Sequence, residues 1–239
     1  MRADELDYQP PPGLDLVHED ADLLVFDKPS GLLSVPGRGA DKADCLASRA
    51  QAQWPDALVV HRLDLSTSGL VLMARGAPMQ RRLSEAFAGR AVDKRYEALV
   101  QGVPQAATGD DEDEGWQRID APLMADWPRR PLQKVDAAGK PSLTLWRLKQ
   151  GDAQRQAAWL LLAPHTGRSH QLRLHLAHIG HPILGDALYG DAAVRARAPR
   201  LMLHASALAL AHPVSGAPLR FERPAPFGLA SLPIAPLAD

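Results

Sequence analysis

Short strand-like segments dominate this chain of 239 residues, and several of them follow one another with no helical pattern between them. They lie at residues 22–27, 32–35, 96–100, 143–148, 157–163, 201–210 and 219–221. Strands joined without a crossover helix pair in antiparallel fashion, whereas a doubly wound parallel sheet needs a helix after each strand. The order therefore predicts an α+β fold with a bent, mixed and mostly antiparallel sheet flanked by helices.

Three helical patterns accompany the strands. They cover residues 44–53, with Asp44 as the predicted cap, residues 78–88, and residues 170–177. The second pattern places Met79, Leu83 and Phe87 four residues apart, which puts them on one face of a helix. The helices are too few to alternate regularly with the strands.

Residues 61–70, with the sequence HRLDLSTSGL, place one carboxylate between two strand-like runs. Ser66, Thr67, Ser68 and Gly69 have turn chemistry, and Gly69 is suited to a positive φ. Asp64 is therefore predicted on a loop held by two strands, where catalytic groups are often found. An aspartate that bonds its own turn is the commoner case, so spacing alone leaves both interpretations open.

The charge balance does not indicate a protein that coats nucleic acid. Lys and Arg number 27 against 28 Asp and Glu, which gives a net charge of −1. Five of the acids form the run at residues 110–114, predicted to be a solvated surface insertion, and the rest of the chain carries +4. Any nucleic acid must therefore meet a local positive patch. The best candidate is residues 165–204, which contain Arg168, Arg173, Arg195, Arg197 and Arg200.

Cys45 is the single cysteine, so it cannot form a disulfide within the chain and is expected to pack near the start of a helix. The N-terminus is acidic and lacks the apolar core of a signal peptide, and no apolar run approaches the length of a membrane span. We therefore expect a cytoplasmic protein with no membrane association.

The segment at residues 61–70 resembles the central motif of the RluA-type pseudouridine synthases. Three further motifs of that family follow in order: DKRYEALV at 93–100, HTGRSHQLRLHLAHIGHPILGDALYG at 165–190, and RLMLHASAL at 200–208. The segments KPSGLLSVPGR at 28–38 and DWPRRPLQKV at 126–135 resemble the branch that contains RluA. That branch modifies 23S ribosomal RNA and the anticodon stem-loop of certain tRNAs. The resemblance covers residues 14–225 and implies one catalytic domain, with no extra N-terminal RNA-binding domain and with tails at 1–13 and 226–239.

The resemblance assigns the chemistry to three residues. Asp64 matches the catalytic aspartate, which either attacks the sugar or removes a sugar proton. Tyr96 matches a tyrosine that stacks on the flipped uracil and lies close to its C5 proton, and Arg168 matches an arginine that keeps the carboxylate ionised. Because the isomerisation transfers no electron, phosphate or acyl group, no cofactor or metal is expected.

The same resemblance implies a set of RNA contacts. Arg62 would enter the RNA stack where the target base has left, although a surface ion pair with Asp64 is the plainer interpretation. Leu203 occupies the position of an apolar residue that packs beneath the base. The remaining candidates for RNA binding are His61, Lys94, Arg95 and Arg173.

Six of the nine histidines fall in residues 165–204, which raises the question of a metal site. Gly180 and Pro182 interrupt any helix that could align His175, His178 and His181, and no cysteine assists. Structural hydrogen bonds and RNA contacts are the favoured roles.

The sequence thus predicts an RNA pseudouridine synthase that is monomeric and needs no obligate protein partner. The rival within the family is a ribosome-only or tRNA-only enzyme. A noncatalytic RNA-binding protein or RNA chaperone on the same fold is the rival from another class, and a metal-dependent phosphodiesterase is a third. Activity in EDTA would exclude the third.

Overall fold

The computed structural model describes residues 8–105 and 115–234. The predicted acidic insertion at 110–114 therefore lies outside the described residues. Within the described ranges the strands are β1 (Asp15–Glu19), β2 (Leu23–Lys28), β3 (Ala57–Val59), β4 (Ser68–Arg75), β5 (Asp93–Gln101), β6 (Gln117–Asp120), β7 (Leu123–Ala125), β8 (Gln133–Val135), β9 (Leu143–Asp152), β10 (Ala157–Pro164), β11 (Leu203–Ala211) and β12 (Pro218–Glu222). The helices are α1 (Leu46–Gln53), α2 (Ala77–Ala88), α3 (Gln171–His178) and α4 (Ala192–Ala196).

The chain divides into two compact units, each made of two stretches of sequence. One unit, here called the aspartate unit, contains Met1–Lys94 and His204–Pro224. The other, here called the arginine unit, contains Arg95–Leu203 and Ala225–Asp239. The first carries Asp64 and the second carries Arg168. The prediction of a single catalytic domain over residues 14–225 stays a prediction.

The sheet of the aspartate unit is built around the long strand β4. β2 and β3 both pair with β4 in antiparallel fashion, and β1 pairs with β2. β11 runs parallel to β4, with His204 opposite Ser68, and β12 is antiparallel to β11. Strand β4 is buried along nearly its whole length, and α2 packs on it through Met79 and Leu83. The first residue of β4 lies four positions after Asp64, so the sheet fixes where the loop that carries Asp64 ends.

The arginine unit has an antiparallel sheet in the order β5-β10-β9-β6, with β7 and β8 as a separate hairpin. Alternate residues of β10 enter a core that also takes Leu172 and Leu176 from α3. Leu229 and Leu232 join this core and are 3% and 5% exposed. The predicted tail at 226–239 therefore packs as far as Leu232, because two apolar residues give it an anchor.

The predicted fold class is confirmed: the pairing of β4 with β11 is parallel, and the other strand pairs described above are antiparallel. No helix among the described residues combines the length and the apolar character that crossing a bilayer needs.

Two local predictions are wrong. The cap of α1 is Cys45 and not Asp44: its sulfur accepts the backbone N–H of Ser48, and Ser48 Oγ accepts the N–H of Cys45. Asp44 instead pairs with Arg49 at 2.7 Å. Residues 32–35 form no strand, because their backbone groups bond to other partners, such as the N–H groups of Leu46 and Ala47.

Candidate active site

Asp64 lies on the loop between β3 and β4, as the sequence predicts. The N–H of Thr67 bonds to the carbonyl of Asp64 at 3.1 Å and closes a turn. Leu63 is buried at 6% exposure, whereas Arg62 is exposed and Asp64 is half-buried. The buried leucine holds the loop to its unit, and its two charged neighbours stay accessible.

Lys28 binds this loop from inside the protein. Its side chain is fully buried, and its ammonium donates to the carbonyls of Pro29 at 2.9 Å, Leu32 at 2.7 Å and Leu65 at 3.3 Å. A buried ammonium without acceptors is costly, so the three carbonyls and the charge stabilise one another. Lys28 thereby ties the turn that follows β2 to the residue after Asp64.

Two serines of the same turn hold the loop on either side of Asp64. Ser34 Oγ donates to the carbonyl of Leu63 at 2.8 Å and accepts its N–H at 3.1 Å. Ser30 Oγ donates to the carbonyl of Ser66 at 2.7 Å. These contacts fix the backbone on both sides of Asp64. Sequence reasoning treated this segment as a turn and a family motif, and nothing in its spacing reveals its partners about thirty residues away.

Gly69 is required for close strand packing rather than for the turn. It lies in β4 with φ 114°, and a Cβ there would lie 2.4 Å from the carbonyl oxygen of Ala205 and 2.5 Å from its nitrogen. Next to it, Ser68 Oγ donates to Nδ1 of His204 at 2.9 Å, because Nε2 of His204 donates to the carbonyl of Arg223. The predicted turn thus ends earlier, at Thr67, and Gly69 permits the parallel pairing of β4 with β11.

His61 has a structural position. Its Nε2 accepts the backbone N–H of Leu72 at 2.9 Å, and its ring stacks on Phe87 with centroids 4.4 Å apart. Burial, and secondarily the positive charge of Lys94, lowers the pKa of His61 to about 3. The predicted RNA contact is not supported by this geometry, since the ring is neutral and its Nε2 acceptor is occupied.

The low pKa of His61 makes stability depend on pH in a defined window. Below pH 6.5 the imidazole of His61 becomes protonated in the unfolded chain, whereas in the folded protein it stays neutral down to about pH 3. The contribution is complete above pH 6.5 and is lost as the pH falls towards 3, by about 2 kcal/mol at pH 5. His61→Gln keeps an oxygen that can accept from Leu72, and its free energy of unfolding should fall less between pH 7.5 and pH 5. Urea unfolding at both pH values measures the difference, and an equal fall in the two proteins would contradict this assignment.

The candidates around β5 are distributed over both units. Lys94 is half-buried in the aspartate unit, and burial, followed by the charge of Arg90, lowers its pKa below the usual range. Arg95 is exposed in the arginine unit, with its guanidinium 5.5 Å from the ring centroid of Trp116. Tyr96 is half-buried in that unit, opposite Leu162 of β10, and packs on the core.

Arg168 lies on the loop that leads into α3. The Gln171 side-chain oxygen accepts the N–H of Arg168 at 3.0 Å and the hydroxyl of Thr166 at 2.7 Å, which fixes the loop. The Arg168 side chain is exposed, and its guanidinium donates to the carbonyl of Pro141 at 3.3 and 3.4 Å. The loop is therefore ordered by a glutamine that the sequence analysis did not single out.

His170 ends the same loop in a left-handed conformation, with φ 55°. Its Nδ1 lies 2.8 Å from the hydroxyl of Tyr189, and that hydroxyl also accepts the N–H of Gln133 in β8. The β7–β8 hairpin and the Arg168 loop are thus joined within one unit.

Arg173 was predicted to bind RNA, and the structure corrects this. The residue is 4% exposed, and its guanidinium forms a bidentate pair with Asp186 at 2.8 and 2.5 Å. Asp186 is fully buried and also accepts the N–H groups of Leu188 and Tyr189. A guanidinium enclosed in this way is a structural group and does not reach a phosphate.

Arg197 is a second arginine of the predicted basic patch at 165–204 whose guanidinium is bound to groups of the protein itself. That guanidinium donates to Gln101 Oε1 at 2.7 Å and to the carbonyls of Arg155 and Gln156. Leu203, the apolar candidate, is 3% exposed in the core of the arginine unit. Its packing beneath a base stays a prediction.

Four of the six histidines in this stretch serve as hydrogen-bonding groups. His175 is fully buried between the hydroxyl of Thr144 and the carbonyl of Ala121, both at 2.9 Å. His181 donates from Nδ1 to the carbonyl of Gln101, and His170 and His204 have the partners described above. These contacts support the structural role that the sequence favours.

A different group, Asp20, Asp22 and His212, brings one possible metal ligand from each residue within 4.8 Å of the others. Nδ1 of His212 accepts the N–H groups of Val214 and Ser215, both at 3.2 Å. The ring proton therefore lies on Nε2, which faces the carboxylates at 3.5 and 3.6 Å. Ligation through Nε2 would need the opposite tautomer, so this geometry favours a hydrogen-bonded cluster over a metal site.

Comparison with known proteins identifies the family. Residues 22–178, well over half of the chain, match the family described as RNA pseudouridylate synthase. The chain belongs to the RNA pseudouridylate synthase family. It is therefore an isomerase that acts on RNA, and the resemblance to the RluA type is confirmed.

Relatives within this pseudouridine synthase family are similar over most of their length. The dual-specificity RNA pseudouridine synthase RluA of Escherichia coli strain K12 is 44% identical over 223 residues, which cover 92% of this chain and 98% of the relative. The protein of the same name from Vibrio parahaemolyticus is 45% identical, over 88% and 83% of the two chains. Among solved structures, human RNA Pseudouridylate Synthase Domain Containing 1 has a TM-score of 0.73 at 28% identity, covering 96% and 94%.

Proposed function

We propose that this pseudouridine synthase modifies uridines in two structured RNAs, 23S ribosomal RNA and the anticodon stem-loop of tRNA. One observation carries the proposal: relatives that are 43–45% identical over most of the chain bear the name dual-specificity RNA pseudouridine synthase. The matched region covers 98% of the E. coli relative, so this chain contains the counterpart of nearly all of that protein.

In the proposed reaction, Asp64 acts on the sugar of a flipped uridine. The N1–C1′ bond breaks, uracil rotates within the site, and a C5–C1′ bond forms; C5 loses its proton and N1 takes one up. Asp64 either attacks C1′ and forms a covalent adduct or removes a sugar proton. Both routes need a carboxylate held in place by other groups, and the contacts of Lys28, Ser30 and Ser34 with the loop backbone support that requirement.

The other roles follow from side-chain chemistry. Arg62 is exposed beside Asp64 and fills the gap left by the flipped base, since a planar cation offsets part of the few kcal/mol that unstacking costs. Tyr96 stacks on the uracil and lies close to its C5 proton, Arg168 keeps Asp64 ionised, and Leu203 packs beneath the base. Lys94 and Arg95 contact phosphate.

Because the reaction is redox-neutral and transfers no group between molecules, the enzyme works without cofactor or metal. A net charge of −1 means that affinity comes from local cations and base contacts rather than from the overall field. We infer that a monomer in the cytoplasm carries out the whole reaction.

Tritium release tests the substrate assignment. The protein is incubated separately with an anticodon stem-loop transcript and a ribosomal hairpin transcript, each labelled with tritium at C5 of uridine. Dual specificity predicts release of tritium from both RNAs, with and without EDTA, because C5 exchanges its proton for the bond to C1′. Release from one RNA alone would establish a ribosome-only or tRNA-only enzyme. Release that stops in EDTA would contradict the metal-free reaction.

A further inference from the structure

Trp127 is the most exposed large apolar side chain in the described part of the chain, at 65% exposure. It lies in the connection between β7 and β8 of the arginine unit, in a short 3₁₀ turn formed by Trp127–Arg129. An indole that stays in water contributes no burial free energy to the fold, so stability does not explain its exposed position.

The connection that carries Trp127 is rigid. Asp126 and Leu132 bond to each other and to Arg129 through three backbone hydrogen bonds of 2.9 to 3.0 Å. The side chain of Asp126 is nearly buried, and its carboxylate binds the guanidinium of Arg129 at 2.6 and 2.7 Å. The indole is therefore presented on a fixed turn and does not move with a loose loop.

Arg130 covers one face of the indole. Its guanidinium carbon lies 3.2 Å from the ring centroid of Trp127, in the geometry of a cation–π contact. The charge of Arg129 is paired with Asp126, whereas the guanidinium of Arg130 lies over the ring. Two planar groups thus form one exposed, positively charged layer, here called the Trp127–Arg130 layer.

The hairpin that carries this layer is joined to the Arg168 loop of the same unit. Gln133 donates to the Tyr189 hydroxyl, which in turn contacts His170 at the end of that loop. Beyond the hairpin in the chain, the carbonyl of Pro141 accepts from the Arg168 guanidinium. The layer is thus held in fixed register with a loop that carries a candidate catalytic residue.

We propose that the Trp127–Arg130 layer is a stacking platform for one unpaired base of the RNA substrate. This inference rests on the proposed function, because it assigns a specificity contact to the same reaction. Aromatic rings and arginine planes are the surfaces on which unstacked bases of RNA loops are held. The adjacent guanidinium adds an attraction to phosphate that a ring alone lacks.

The size of the layer favours a nucleotide over a protein partner. A tryptophan offers roughly 150–250 Å² of surface, whereas a stable protein interface takes about 800 Å² from each partner. A single base covers an indole face, so one side chain is enough for the first task and far too little for the second. RNA loops that place an unpaired base on the Trp127–Arg130 layer are therefore bound more tightly than fully paired RNA of the same length.

Binding measurements test the platform in the full chain. Trp127→Ala and Trp127→Phe are each combined with Asp64→Asn, so that binding is read without turnover, and titrated with the anticodon stem-loop transcript. We expect Trp127→Ala to weaken binding by about ten- to a hundredfold and Trp127→Phe to stay within a few-fold. The reference protein carries Asp64→Asn alone. A two-stranded duplex with the same stem and no loop should bind equally to the reference and to both variants at Trp127. Val214→Ala, at a side chain that is 59% exposed, is the matched control and should change nothing.

Three results would overturn the platform: unchanged stem-loop binding in Trp127→Ala, an equal loss on the duplex, or a loss in Trp127→Phe as large as in Trp127→Ala. A melting temperature close to that of the parent protein, expected for so exposed a side chain, shows that the variants fold. The result is separable from the proposed function, because binding is measured without catalysis. A protein that binds the loop through Trp127 yet releases no tritium from either RNA would retain the platform and lose the proposed substrates.

Discussion

Asp64→Asn should reduce pseudouridine formation to background while the affinity for RNA stays within a few-fold. Asparagine has nearly the same shape but can neither attack C1′ nor accept a sugar proton. The fold should survive, because the loop is held through the backbone of Leu63, Leu65 and Ser66 by residues of another turn. Affinity should survive because phosphate and base contacts are distributed over other residues. Single-turnover tritium release and RNA titration measure the two quantities on the same preparation.

Asp56→Asn is the matched control for this experiment. Asp56 is an exposed aspartate of the same unit and pairs with Arg75 at 3.2 Å, a contact worth at most about 1 kcal/mol. Its replacement should leave rate and affinity nearly unchanged. Turnover of Asp64→Asn clearly above background would remove Asp64 from the catalytic role and would favour a turn-stabilising aspartate, the commoner role of such a residue.

The strands were predictable because a short apolar run indicates a strand whichever other strand it pairs with. Thus residues 96–100, 157–163 and 219–221 lie within β5, β10 and β12. Pairing partners were not predictable to the same degree. Strand β11 runs parallel to β4 across 136 residues of sequence, and this depends on a glycine without a Cβ and on a buried serine–histidine bond. The sequence shows these residues, but their meeting depends on the tertiary fold.

The candidate site divides in a similar way. Asp64 was found because its motif is contiguous, and its loop could be inferred from the strands on both sides. Lys28 and Ser34 were missed as loop supports, because a contact between distant segments leaves no periodic pattern. His61 and Arg173 were predicted to bind RNA, and the contacts that their side chains make within the protein decide against both. A cation or imidazole within a motif can bind groups of the protein itself as well as groups of the RNA, and residue type does not distinguish the two.

Arg173 gives this distinction a quantitative test. Arg173→Met would leave the fully buried carboxylate of Asp186 without its bidentate partner, and an uncompensated buried charge costs about 3–5 kcal/mol. We therefore expect the free energy of unfolding to fall by about that amount, measured by urea denaturation. Arg195→Met, at an exposed arginine of α4, should change stability by less than about 0.5 kcal/mol. An RNA-contacting Arg173 would give the reverse pattern: near-normal stability, weaker RNA binding and a salt dependence reduced by about one unit of slope.

The double variant Arg173→Met with Asp186→Asn separates the lost charge pair from lost packing. Asparagine is neutral, and its side-chain oxygen still accepts the N–H groups of Leu188 and Tyr189. If the cost of the single variant comes from the unpaired carboxylate, the second substitution should recover more than half of it. Additive losses would show instead that the guanidinium stabilises the fold through its own contacts, which include the ring of Tyr189 at 5.4 Å. Recovery would establish that Arg173 serves the scaffold, because it neutralises the carboxylate that caps the segment leading to Tyr189 and, through Tyr189, the loop that carries Arg168.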